Sequence, residues 1–432
     1  MLLAAPATAQ KRSARRQATL IEAVKKTVQE EIPAYFEIYK TLHSNPELSG
    51  SERETSQLMA NQLQALGLEV TTNVGGYGVV ALFRNGEGPT VMLRADMDAV
   101  PVKETTGLPY ASTKTVLVDG VATPVMHACG HDMHSTVLLG TVAALVTHKA
   151  AWKGTLMAVC QPSEEMGTGA KGMLEDGLFA RFPVPDIALA LHVNPDSPSG
   201  TMAYHSGPAM AGCKDFKITF FGKGGHGAFP HKYVDPIIMT VGAILEFQTI
   251  LSRNVPTTEC AILTVGSIHG GSRPNFIPDE VDLQLTARFF DHAVGEQIEK
   301  RLRQICLATA QGFTAPQLPR VTRLAQLPPV INQPQLTREV VTSLKELLGE
   351  NQVAEVGLKM ISEDFALYGP EMARLHNSEE PAPTTLLWLG ASIGPDVISG
   401  ELHSSTFHPE FEKTFATGVA SLTYAIICQY GK

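Results

Sequence analysis

Strand and helix patterns alternate along most of this chain, and the alternation is broken once, between about Ser206 and Pro319. Parallel strands need a long crossover, usually a helix, so alternation of this kind specifies an α/β layer around a mostly parallel sheet. Helical patterns run from Thr19 to Leu42 and from Ser51 to Leu66; the second opens on Ser51 with Glu54 three residues on, the spacing of a capping box, and stops at Gly67. Strands are expected at Glu69–Thr72, Val79–Phe83, Val91–Ala95, Gly154–Cys160 and Ile187–His192. A helix from about Asp132 to His148 carries Val137, Leu138, Val142, Leu145 and Val146 on one face. The pattern resumes with a helix at Leu336–Leu348, a strand at Thr385–Gly390 and a helix at Phe411–Ile427.

The interruption reads strand (Phe216–Phe221), helix (Asp235–Arg253), two strands (Ala261–Ile268, Val281–Phe289) and helix (Ala293–Gln311), with a short strand near Val321 to close it. That order is a βαββαβ, ferredoxin-like unit. The expected organisation is a main domain in two segments, 19–206 and 320–432, with a satellite inserted at 207–319 and a flexible N-terminus over 1–18. At 432 residues the chain exceeds what one core usually covers, in keeping with two domains.

The formal charge of −9 and the lack of a long Lys/Arg block argue against nucleic-acid binding, which needs a basic face to neutralise phosphates. No apolar run reaches the ~20 residues that cross a bilayer as a helix, so membrane insertion is not expected. The start, MLLAAPATAQ, has the small-x-small pattern Ala7-Thr8-Ala9 that precedes a signal-peptidase cut, without a basic n-region; it leans slightly to export, with the cytoplasm as the alternative. Six cysteines without a CxxC pair read as buried thiols rather than a disulfide framework.

Three polar motifs fall at the carboxyl ends of strands, where open α/β sheets carry their sites. Asp96 and Asp98 are two apart, so both carboxylates can face one crevice. In His127-Ala128-Cys129-Gly130-His131-Asp132-Met133-His134, a thiol and imidazoles alternate just before a helix, a donor set suited to a borderline-soft ion such as zinc; Asp132 reads as a helix N-cap. Glu164-Glu165 follows a strand directly. Neighbouring residues normally point apart, so one glutamate suits a metal and the other a general base.

Taken in order, Leu42-His43-Ser44-Asn45-Pro46-Glu47-Leu48-Ser49, Arg94–Ala99, His127–His134, Pro162–Glu165, Gly225–His231, Asn275–Pro278, Ser362–Phe365 and Leu402-His403-Ser404 resemble the zinc-dependent aminoacylase/carboxypeptidase superfamily. The branch they resemble holds hippurate hydrolases, N-acyl-L-amino-acid amidohydrolases and plant auxin-conjugate (IAA-amino acid) hydrolases. The resemblance implies a dinuclear-metallopeptidase-like catalytic domain, and metal ligands at Cys129, His131, Glu165, His192 and His403. It implies Glu164 as base, Asp98 supporting a ligand, and His134 supporting the metal loop. His226 would stabilise the oxyanion, often in the partner subunit's site, and Asn275 and Arg288 would hold the substrate. It further implies two divalent ions (zinc, with manganese, cobalt or nickel also suitable), an N-acyl amino-acid substrate, and a homodimer or higher homo-oligomer formed through the satellite. His408 rivals His403 as the last ligand. Carboxypeptidase, dipeptidase or N-carbamoyl-amino-acid hydrolase activity fits the same metal residues; a cysteine-nucleophile hydrolase and a catalytically silent metal-binding protein are the readings from other classes.

Overall fold

The computed structural model describes residues 7–380, 382–394 and 400–431. The chain forms two compact units, one of Met1–Gly207, Asn332–Gly357 and Leu367–Lys432, the other of Pro208–Ile331 and Leu358–Ala366. The stretch expected as a flexible terminus is helical from Ala7, the first residue of a helix reaching Ser44; residues 1–6, with most of the apolar part of the export-like pattern, lie outside the described residues.

In the first unit an eight-stranded sheet runs in the order Glu69–Val74, Gly78–Asn85, Gly154–Gln161, Thr90–Asp96, Ile187–Pro198, Thr384–Ser392, Met202–Tyr204, Val353–Glu355. Its four central strands are mutually parallel, while Gly78–Asn85 joins them antiparallel. Parallel strands are covered on both faces. Accordingly every residue of Thr90–Asp96 is buried, and so is all of Gly154–Gln161 except Thr155. In register, Asp96 stands beside Gln161 and His192 beside Trp388, so the segments that leave these strands emerge together at one edge.

Helix His131–Thr147 differs from its sequence pattern. Instead of one apolar face it is buried all round from His131 to Leu145, Ser135, Thr136 and Thr141 included. It packs on strand Thr90–Asp96 and against helices Ala7–Ser44, Arg53–Ala65 and Phe411–Tyr430. Gly140 permits the closest approach: a Cβ there would stand 2.8 Å from Phe415 Cζ and from Val419 Cγ2. The capping box also fails to form. The helix starts at Arg53 with Glu52 at its N-cap, and the Glu47 carboxylate accepts the Glu54 and Thr55 N–H groups at 3.2 and 2.8 Å.

The second unit is a four-stranded antiparallel sheet in the order Ala261–His269, Glu280–Phe289, Gly212–Phe221, Arg320–Leu327. Numbered along the chain this is 2-3-1-4, the ferredoxin-like arrangement. Helices Pro236–Arg253 and His292–Gly312 cover one face, their Phe247 and Leu302 sharing a core with Phe216, Ile218, Phe220 and Leu285 of the strands. The unit extends past the expected limit at 319 because Arg320–Leu327 pairs along Gly212–Phe221, and because Ala211 N donates to the carbonyls of Lys359 and Ile361 at 3.0 Å.

These packing contrasts predict opposite effects of adding a side chain to two helical glycines. Gly140→Val should destabilise by about 1–3 kcal/mol through overpacking. Gly242→Ala, where a Cβ meets nothing within 4 Å, should stabilise by about 0.5–1 kcal/mol. Urea midpoints of the two variants against the parent check both signs.

Candidate metal centre

The loop after Met126 brings Cys129 to a turn closed by Gly130, whose φ of +79° serves as the N-cap of helix His131–Thr147. A Cβ at Gly130 would stand 2.5 Å from Val193 Cγ2, so both the conformation and the space require glycine. His131 is therefore the first helical residue rather than part of an extended loop. Asp132 is not the N-cap: its Oδ1 accepts from Met133 N at 2.8 Å, and its Oδ2 is 2.6 Å from His43 Nδ1. The other His43 nitrogen stands 3.1 Å from Glu104 Oε1; burial opposes its charge, but the two carboxylates raise its pKa to about 9.

Two of the rings that could face an ion, His131 and His192, are oriented by a bond to their other nitrogen. His131 Nδ1 is 3.1 Å from Asp98 Oδ1, and His192 Nδ1 donates to its neighbour's carbonyl, Val193 O, at 2.8 Å. Both rings thus present Nε2, as metal-binding histidines do. His134 is used on both sides: Nδ1 is 2.6 Å from Asp96 Oδ1, and Nε2 accepts Val193 N–H at 2.9 Å. That leaves it no lone pair for a metal. Asp96 is likewise engaged, with Arg94 at 2.9 Å.

Sulfur, imidazole and carboxylate meet at Cys129. Its Sγ is 3.5 Å from His192 Nε2 and 3.3 Å from His403 Nε2, and His403 Nε2 is 3.2 Å from Glu165 Oε1. The donor atoms of Cys129, His131 and His192 form one close group and those of Cys129, Glu165 and His403 another, each within 4.8 Å; His131, Glu164 and Glu165 form a third. Two adjoining donor sets therefore share the thiol. His403 reaches this position from a backbone with φ of +64°, held by its N–H on Ala128 O at 2.7 Å. His408 enters none of these groups and its Nδ1 is 3.1 Å from Thr406 O. His127, buried and with neither ring nitrogen hydrogen-bonded, also stays out; burial first, with nearby His43 and His131, lowers its pKa to about 4.

Contrary to the expectation for neighbours, Glu164 and Glu165 point the same way. Their oxygens lie 3.9 and 3.7 Å from His131 Nε2, because they sit on a turn after Ser163, whose φ is +54°, and not on a strand.

The residues fit a divalent cation. His131 Nε2 is buried and makes no hydrogen bond, although three carboxylate oxygens stand 3.7–3.9 Å away. Those gaps exceed a hydrogen bond, but donors bound at 2.0–2.3 Å to one tetrahedral ion stand about 3.3–3.8 Å apart. The electrostatics agree. Burial, then the Glu165 and Glu164 carboxylates, push the Cys129 thiol well above its ordinary range. Against burial, Asp96, Asp98 and Glu165 raise His131 to about 10. A cation reverses both tendencies, since a coordinating thiol gives up its proton. The His403 side chain is 53% exposed and Glu165 14%, so the cluster is open on that side.

His226, Asn275 and Arg288 all belong to the second unit. His226 pairs with Phe276 on a two-residue ladder, and Gly227 N donates to Asn275 O at 2.9 Å, so this pairing holds His226 and Asn275 together. His226 is exposed and its Nδ1 accepts Ala228 N–H at 3.1 Å, which leaves Nε2 to carry the proton of the neutral ring. Arg288 donates to Ser362 Oγ, which donates to Ala211 O at 2.7 Å.

With this geometry in view, the comparisons with known proteins fall into line. The model of peptidase family M20/M25/M40 matches residues 92–427. The chain belongs to this family. It is accordingly a hydrolase of amide bonds. It is 38% identical to an N-acetyl-L-cysteine deacetylase of Bacillus subtilis, over 77% of this chain and 76% of that protein. It is 36% identical to thermostable carboxypeptidase 2 of Saccharolobus solfataricus, covering 81% and 86%, and 32% identical to an IAA-amino acid hydrolase of Arabidopsis thaliana, covering 77% and 73%. Among solved structures, a dinuclear metal-binding M20 peptidase of Bacillus subtilis superposes with a TM-score of 0.72 at 26% identity, covering 94% of this chain and 98% of that one.

Sequence reasoning missed Ser49, Glu52, His43 and Glu104 as neighbours of this M20 centre. His43 and Ser49 lie in the Leu42–Ser49 segment, but nothing local to them signals a partner about 50 to 90 positions away.

Because His131 holds its proton up to about 10 and Cys129 well above its ordinary range, an ion must displace protons to bind. Metal affinity should therefore rise with pH and fall on acidification, with net proton release at neutral pH. Titration calorimetry of the metal-free protein in buffers of different ionisation enthalpy measures the protons released; zero release would contradict the ligand set.

Proposed function

We propose that the chain hydrolyses N-acyl amino acids, aromatic or aliphatic in the acyl part, with two divalent cations held by Cys129, His131, Glu165, His192 and His403. The observation carrying this reading is the convergence of these donor atoms around a buried His131 Nε2 that has no hydrogen-bond partner. Thiolate, imidazole and carboxylate together suit zinc, and manganese, cobalt or nickel are the competing ions. Bound there, divalent ions would supply a nucleophile from water at neutral pH and polarise the amide carbonyl.

The chain's own groups do the rest. Glu164, whose oxygen lies 3.9 Å from His131 Nε2, takes the water proton and passes it to the departing amine. Asp98 fixes the His131 ring through Nδ1. His226 offers Nε2–H to the developing oxyanion, a contribution whose loss typically costs ~3–4 kcal/mol. Asn275 and Arg288 hold the substrate's polar and carboxylate groups. The deacetylase and IAA-amino acid hydrolase relatives favour acyl-amino-acid amides.

A homodimer through the second unit completes the proposal. Ile238, Val241 and Leu245 form an exposed apolar stripe at helical spacing, and strand Ala261–His269 is an outer strand of its sheet with Ile262 and Ile268 exposed. An apolar edge strand in a lone chain invites self-pairing, and a second copy supplies an identical edge.

A thiol nucleophile is the rival with an observation behind it, since Cys129 is near two imidazoles. Charge weighs against it: a nucleophilic cysteine needs a lowered pKa, and burial with the Glu165 and Glu164 carboxylates pushes Cys129 the other way. The carboxypeptidase relative keeps peptides in view as substrates.

Glu164→Gln should keep its metal and lose turnover by roughly three orders of magnitude or more, as for loss of a base. Elemental analysis and kinetics on N-acetyl, N-benzoyl and N-carbamoyl amino acids and on dipeptides check it; activity that survives removal of metal by chelators would sink the metal mechanism. His226→Ala should lose turnover at unchanged metal content. If His226 serves the partner's site, mixing His226→Ala with Glu164→Gln should restore part of the activity.

A further inference from the structure

The loop between the first two helices comes from a part of the chain that supplies no metal donor, yet it grips the Glu164–Glu165 turn at two points. Glu52 is fully buried, and although it stands at a helix N-cap its carboxylate makes no capping bond. Its Oε1 accepts Ser163 N–H at 2.7 Å and Ser163 Oγ–H at 3.2 Å instead. Ser163 is the residue with φ of +54°, a conformation that L side chains other than Asn or Asp seldom adopt. Beyond it the turn closes on itself: Ser163 O accepts from Thr168 N and Gly169 N at 3.2 and 3.1 Å, and Gly167 N donates to Glu164 O at 2.6 Å. At Gly169 a Cβ would stand 1.6 Å from Pro162 O, so the turn cannot relax around a larger residue.

The second grip is indirect. Glu165 N donates to Asp98 Oδ2 at 3.0 Å, and the same oxygen accepts Ser49 Oγ–H at 2.6 Å. The loop is itself anchored, since Ala99 N donates to Glu47 O at 2.8 Å and Ser51 N to Leu48 O at 2.9 Å.

We propose that Glu52 is a positioning residue: it holds Ser163 in the left-handed conformation that turns both Glu164 and Glu165 toward the metal cluster. This rests on the reading of Glu164 as base and Glu165 as ligand, but its consequence is separable. If Ser163 relaxes, Glu165 leaves the donor set, and metal affinity falls whether or not the substrate has been identified. A residue that served only to hold helix Arg53–Ala65 would alter stability and leave the metal titration unchanged.

The test uses calorimetric titration of the metal-free full chain with zinc and with manganese, alongside kcat and KM for an N-acyl amino acid. Glu52→Gln keeps the acceptor oxygen and should resemble the parent. Glu52→Asp withdraws the carboxylate by one methylene and should lose about 10–100-fold in metal affinity and in kcat, the range typical of groups that support ligands, with KM and the metal-free thermal midpoint little changed. Adding Ser163→Gly, which takes a positive φ without strain, should recover part of the loss, and this double variant is the one measured if Glu52→Asp alone does not fold. Parent-like metal affinity in Glu52→Asp, a Glu52→Gln variant as weak as Glu52→Asp, or a double variant that recovers nothing overturns the proposal. Should Glu164→Gln retain full turnover, the base assignment falls while the metal titration still judges Glu52.

Discussion

The carboxylate of Asp98 is the point on which the centre depends. One oxygen orients His131; the other takes the backbone N–H of Glu165 and the hydroxyl of Ser49. Three segments distant in sequence are thereby registered against one buried group. Burial raises the cost of charge on Asp98, but the bonds from His131, Ser49 and Glu165 N hold its pKa below the ordinary value. The arrangement works because the bonds that keep Asp98 ionised also orient the donors.

Charge balance explains why so many acids tolerate burial together. Asp96 is offset by Arg94 and by His131 and His134, which hold it well below the usual carboxylate range despite burial. The Glu164 and Glu165 carboxylates stand 3.9 and 3.7 Å from His131 Nε2. Burying charge is costly unless it is offset, and the acids around His131 raise its pKa to about 10 against burial. A cation bound there would displace protons, and the cluster that raises the Cys129 thiol would then favour its thiolate.

The alternating layer and the βαββαβ insertion were legible because period and order carry that information, and most strand bounds matched within a few residues, although the strand from Ile187 runs on to Pro198. What escaped were effects of tertiary contact. The helix at His131–Thr147 carried an amphipathic pattern but is enclosed on all sides, which Gly140 permits and periodicity cannot report. The capping box of Ser51 and Glu54 is a sound local rule overridden because Glu47 reaches the N–H groups first. Cys129, His131, Glu165, His192 and His403, whose side-chain atoms lie close together, stand in motifs that the sequence displays; the convergence of Glu164 with Glu165 was not legible, since it depends on one positive φ at Ser163 that no propensity assigns to serine.

The two units hold their polar groups in different ways. The parallel sheet buries its central strands on both faces, so groups at their carboxyl ends start from a rigid edge and can be held by bonds to their second atoms. The exposed His226 has no such enclosure, and its orientation comes from a two-residue ladder and one bond to Ala228 N. That bond also settles which nitrogen carries the proton in the neutral ring. A neutral ring bonded in this way donates from Nε2. His131 and His192 are bonded the opposite way, with Nδ1 partnered by Asp98 Oδ1 and Val193 O and Nε2 turned toward the cluster. In each ring the partner of Nδ1 decides what Nε2 is free to do.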